Sequence, residues 1–166
     1  MTKDKLAQAI SDIKEHRDDV IGKLVQFSKT DSLLFWDKNS GLAQKQEQLW
    51  APVLKWADKT LNVGYVANND LNVNEQSDTS AANLKKFMED MDDKELAAFY
   101  LASINMKSEL LAAALVKGEI NAEQAYKAAY LEELYQAERW GIDDLAEQRR
   151  QVVKNELSDI EQFLRK

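Results

Sequence analysis

The chain has 166 residues, a length that suits one domain, with 22 Lys and Arg against 29 Asp and Glu for a formal charge of −7. That acidic balance argues against a general nucleic-acid binder, which needs a basic surface to displace counterions from phosphate. Absence of Cys excludes disulfides, thiolate metal sites and thiol nucleophiles, and a single His excludes any multi-His metal site.

One Pro and five Gly across the chain leave long helices possible, since Pro costs a helix interior about 3 kcal/mol and Gly about 1 kcal/mol. The first predicted helix covers residues 3–28, with Leu6, Ile10, Ile13, Val20, Leu24 and Phe27 at the three-to-four spacing of one buried stripe. His16 sits between Glu15 and Arg17 and reads as a solvated helix residue. Residues 33–36, Leu-Leu-Phe-Trp, are too short an apolar run for a helix and predict an extended segment tucked against the bundle. Ser40 is the expected N-cap of a helix carrying Leu42, Leu49, Trp50, Val53, Trp56 and Leu61, which Pro52 should bend or restart.

From Asn62 to Thr79 the Asn, Asp and Gly content favours turns over helix, with Val63, Tyr65, Leu71 and Val73 in one or two extended pieces. A helix over Ser80–Asp90 follows, capped by Thr79 or Ser80. Asp92 and Glu95 then have capping-box spacing for a helix that continues to Lys117 and stops at Gly118. Its apolar residues, among them Leu96, Phe99, Tyr100, Leu101, Ile104, Leu110, Leu111 and Leu115, go almost round the wheel, so it belongs in the middle of the protein. Asn121 and Gln124 open a sixth helix that ends at Gly141. Asp143 or Asp144 opens the last, with Leu145, Val152, Leu157, Ile160 and Leu164 as its stripe. The fold class is all-α: a multi-helix bundle around residues 95–117, with an irregular segment at 62–79.

The screen for chemistry gives no catalytic residue. The single His lies in a charged segment, no phosphate-loop glycine spacing occurs, and a di-iron bundle would need two Glu-x-x-His pairs. The adjacent acids Asp18/Asp19, Asp92/Asp93, Glu132/Glu133 and Asp143/Asp144 read as complements to helix dipoles. No metal, nucleotide or other cofactor is expected, and no stretch reaches the roughly 18–20 apolar residues of a membrane span. The first 30 residues also lack the apolar core of a signal peptide. The tryptophans are more informative. Trp50 and Trp56 flank Pro52, and Trp140 ends the run LEELYQAERWG; core packing is the plain reading, an interface the sharper one.

The strings TDSLLFW at 30–36, QEQLWAPVLKWA at 46–57 and KGEINAEQAYKAAYLEELYQAERWG at 117–141 carry a resemblance. The chain resembles the C-terminal helical domain of the assembly chaperones that bind the α subunit of F(1)-ATPase in mitochondria and alphaproteobacteria. Leu131, Glu132, Glu133, Tyr135, Gln136, Trp140 and Gly141 fit that family's pattern in place. The chain departs from it at Asp70 and Lys107, where the family often has Gly, and at Ala129-Tyr130, where it has Ser-Arg; Gln76 fits. The family's N-terminal β domain has no counterpart here, so the chain is expected to be one helical domain over residues 1–166.

The resemblance implies a chaperone without enzymatic activity that shields the unassembled α subunit until β replaces it. It also implies partner-binding residues Glu132, Glu133, Gln136 and Trp140, and a bacterial cytoplasmic or mitochondrial-matrix location. A monomer is expected, with no membrane insertion. For Trp140 itself, a packed helix end beside Gly141 is the slightly favoured reading. A helical small-ligand-binding or regulatory domain, its pocket between helices, is the alternative. One geometric expectation comes from the residues themselves. Lys107 and Glu132 are equally far from the turn near Glu119–Ile120, so an antiparallel hairpin of two unbroken helices would pair them as an interior ion pair.

Overall fold

The first helix, α1 (Thr2–Ser28), buries Leu6, Ala9, Ile13, Ile21 and Leu24. This computed structural model describes residues 2–38, 40–68 and 75–166. Within α1 the backbone leaves helical geometry at His16 (φ −135°, ψ 39°). Arg17 follows at once, and its guanidinium holds Asp93 at 2.8 Å and the Met91 carbonyl. The stripe shifts across that break: Val20 is half-buried and Phe27, expected inside, is exposed, while Ile21 and Ser28 are buried. His16 is exposed, as its charged neighbours suggested.

The 33–36 run becomes a 3₁₀ turn over Ser32–Leu34, with Leu33 and Leu34 fully buried. Phe35 then pairs with Asn68 in an isolated parallel bridge. Two helices follow, Pro52 marking a new start as one of its two expected effects: α2 (Ser40–Leu49) and α3 (Ala51–Trp56), with Pro52 in the first turn of α3, where its missing N–H costs nothing. Leu49 is exposed. The Ser40 cap, and Asp70, Leu71 and Val73, lie outside the described residues.

After a π turn over Ala57–Leu61 the chain is extended and irregular, with Val63 and Tyr65 buried. Gln76 holds this segment in place. Its amide accepts from the Val66 N–H at 2.7 Å and donates to the Val66 carbonyl at 3.0 Å, as a neighbouring strand would. Helix α4 (Asp78–Glu89) begins earlier than expected, because Ser77, and not Thr79 or Ser80, accepts from the Ser80 N–H.

The segment expected as one central helix is two: α5 (Asp93–Met106) and α6 (Glu109–Val116). Lys107 is left-handed (φ 55°, ψ 33°) and Ser108 caps α6, its hydroxyl accepting from the Leu111 N–H. Centrality holds. Leu96, Phe99, Leu110, Leu111 and Leu115 are fully inaccessible, and the run Ala112–Ala114 lets other helices approach α6 on every side. Tyr100, Leu101 and Ile104 face outward to differing degrees, so the wheel of α5 is less complete than the sequence suggests. Gly118 (φ 75°) then ends the helix.

The left-handed Lys107 occupies the position where the resembling family often carries Gly. An L residue there costs about 1–2 kcal/mol, partly offset by the entropy a Gly would lose on folding. Lys107→Gly should therefore raise the urea-unfolding free energy by up to about 1 kcal/mol. A loss of stability would mean that the lysine stem holds the turn by packing.

Helix α7 (Ala122–Ala129) opens on the expected capping box, Asn121 and Gln124 each satisfying the other's backbone. The chain then breaks at Tyr130 and restarts as α8 (Leu131–Trp140), where one helix was expected. The last helix, α9 (Asp144–Leu164), is capped by Asp143. Its Leu145 and Val152 are exposed, against expectation, and its inner face carries Arg150, Glu156, Leu157 and Ile160. Glu156 there accepts from Lys5 of α1, and Asp159 from the Thr2 hydroxyl at 2.9 Å.

Candidate functional site

Helix α8 is short, and Leu131 is its one residue classed as buried; Glu132, Glu133, Gln136, Glu138, Arg139 and Trp140 all face solvent. Tyr130 positions its start. The phenol donates to the Asn105 carbonyl at 3.0 Å and its ring stacks on Tyr126, centroids 5.5 Å apart. Beneath it, the Trp50 indole N–H donates to the Ala128 carbonyl at 2.8 Å, and its ring meets Trp36 edge-on. Trp50 is thus core, a scaffold under the junction of α7 and α8.

The four candidate residues differ in environment. Glu133 reaches back to α9, its Oε1 3.2 Å from Nη1 of the buried Arg150. Glu132 lies 3.5 Å from the amide of the buried Gln46, whose oxygen is taken by the Asp37 N–H. Partial burial and then the nearby Asp37 charge push its carboxyl above the usual range. Gln136 stands exposed one turn on.

Trp140 is 84% exposed, which disposes of the packed helix end. Gly141 (φ 96°) turns the chain there, and Ile142 and Leu145, also exposed, continue the apolar corner between α8 and α9. An uncovered Trp beside two aliphatic residues is what an interaction surface presents.

The expected Lys107–Glu132 ion pair does not form. Both residues line one cavity of about 220 Å³, with Ser32, Trp50 and Tyr130, but no ion pair joins them among the described residues. The hairpin argument assumed unbroken helices, and both break, at Lys107 and at Tyr130. Lys107 is exposed, and Glu132 lines the cavity without an ion-pair partner among the described residues.

Sequence reasoning missed a second group. Asp31 is wholly buried and accepts from the N–H groups of Leu33 and Leu110, both at 2.9 Å, so one carboxylate caps the 3₁₀ turn and α6 together. Burial raises its pKa to about 6 against those donors. Glu109, also buried, is raised to about 8 by burial and then by Asp31. The available signal was Asp31 within TDSLLFW, an acid directly before an apolar run. No three His, Cys, Asp or Glu side chains among the described residues group as a metal would require.

A family model described as ATP12 chaperone protein matches residues 1–58. The mitochondrial atp12 protein of Schizosaccharomyces pombe is 25% identical over 153 residues, covering 87% of this chain and 53% of that one. The solved structure of Atp12 from Paracoccus denitrificans superposes with a TM-score of 0.89 at 25% identity, over 95% of this chain and 68% of that one. In sequence and in fold the chain is similar to the ATP12 chaperones. A further solved structure, that of a protein from Agrobacterium tumefaciens, superposes on this chain with a TM-score of 0.85 at 27% identity, over 94% of this chain and 59% of that one. The chain spans about half the length of the curated relative it matches. No helix among the described residues is long and apolar enough to cross a membrane.

Proposed function

We propose that the chain is the helical domain of an F(1)-ATPase assembly chaperone and holds the unassembled α subunit until β takes its place. The observation that carries this reading is Trp140, exposed at the end of α8 on the same short helix as Glu132, Glu133 and Gln136. A subunit whose final interface is large and apolar aggregates when alone, and a partner that covers that surface shifts the population by mass action. Holding and release make or break no covalent bond, so the role is non-enzymatic and needs no cofactor. The chain acts as a monomer in the bacterial cytoplasm or mitochondrial matrix. In this reading Trp140 is the apolar anchor, and Glu132 and Glu133 face basic groups of the α subunit.

Glu132 gives the cleaner test. Reversing Glu133 would also strand the buried Arg150, and lost stability would mimic lost binding. Glu132→Lys should lower capture of α in a pull-down by about tenfold or more, with helical content and melting unchanged. Undiminished capture would remove α8 from the interface. The small-ligand alternative predicts no complex with α at all.

A further inference from the structure

Away from α8, helices α1 and α5 part to leave a trench of about 670 Å³. Its α1 wall runs from Ala9 to Phe27, and 27 − 9 gives 18 residues, at most about 27 Å at 1.5 Å per residue because the helix breaks at His16. Ile13 and Leu24 lie buried along it, and the uncovered rim is mixed: Phe27 is 61% and Ile104 54% exposed, beside the exposed Asp12, His16, Asp19, Lys23 and Lys107.

The lining also includes a hydroxyl without a hydrogen bond and an acid without an ion pair among the described residues. Ser103, 3% exposed, has a hydroxyl with no hydrogen-bond partner among the described residues. Glu109, 5% exposed, has no cation within ion-pair distance among them, and the charge acting on it is another acid, Asp31. Buried polar groups are normally satisfied, and a buried acid gains most from a charged donor.

We propose that this trench docks an apolar polypeptide segment bearing one lysine, whose ammonium seats against Glu109 and Ser103. A trench that follows α1 from Ala9 to Phe27 suits a row of side chains along a helix better than a compact small molecule. Lysine fits this pair because its compact ammonium carries three donors, enough to meet the Glu109 carboxyl and the Ser103 hydroxyl together. The inference does not depend on the α8 reading, since Glu132 lines a different cavity.

The test uses the full chain and a fluorescein-labelled Ala/Leu/Gln peptide of about 18 residues with one central Lys, matched to the trench. Two more peptides carry norleucine or Glu at that position. By fluorescence anisotropy the Lys peptide should bind about tenfold tighter than the norleucine one, and the Glu peptide weakest. Glu109→Gln should abolish the Lys preference while norleucine binding persists. Ile104→Asp, at the exposed rim, should weaken both peptides about tenfold. Glu132→Lys should change neither, which separates this groove from the α8 surface. Equal binding of the Lys and norleucine peptides, or a preference that survives Glu109→Gln, would overturn the proposal. Full displacement of the peptide by an equal concentration of hexylamine would overturn its commitment to a polypeptide.

Discussion

Replacing Asp31 with Ala should cost the chain about 3–5 kcal/mol, enough to unfold much of a marginally stable protein. The Leu33 and Leu110 N–H groups would lose their shared acceptor inside the core, and each unsatisfied buried donor costs about 1–3 kcal/mol. The cavity left by the carboxylate adds to that. Because α6 is the most enclosed helix, fraying at its start propagates to Leu110 and Leu111. Urea unfolding of the variant gives the number directly. A loss below about 1 kcal/mol would mean that water or a repacked backbone replaces the carboxylate.

Stability should also fall as pH rises from about 4 to 8, a direction set by Asp31 and Glu109. Their carboxyls titrate near 3.8 and 4.5 in an unfolded chain, and at about 6 and about 8 in the folded one. Within that window the folded state holds more protons than the unfolded state, so folding takes protons up. The stabilisation from these two protons is complete below the unfolded values and lost as pH passes through the folded ones. One pKa unit corresponds to about 1.4 kcal/mol, so the pair, whose coupled shifts do not add in full, should contribute a decline of several kcal/mol. Urea titrations at fixed pH values across the window check it, and Glu109→Gln should flatten the upper part. Stability that is level or rises with pH would contradict the burial of these acids.

Much of the fold was legible because helix signals are local. The Asn121–Gln124 capping box, the Asp143 cap and Pro52 as a restart follow from chemistry within four residues. What escaped was backbone reversal without a glycine. Lys107 adopts a left-handed turn that its side chain does not advertise, and Tyr130 ends a helix with no cap residue or proline to mark it. Those two breaks undid the Lys107–Glu132 pair, whose register argument was sound only for continuous helices. Of the candidate site, α8 was visible as a run of family-like residues. The exposure of Trp140 was not, since a Trp before Gly fits a packed helix end slightly better than a bare corner. The trench and its acids were hidden for another reason. Asp31 and Glu109 are 78 positions apart in sequence, and tertiary packing alone brings them together.

The most direct test of the account is to mix the purified chain with unassembled, aggregation-prone α subunit and follow the mixture by light scattering and gel filtration. The account predicts that scattering is suppressed and that the two chains elute together as a one-to-one complex, dispersed when β is added. Scattering that grows at the rate of α alone, with the helical chain eluting by itself, would contradict it.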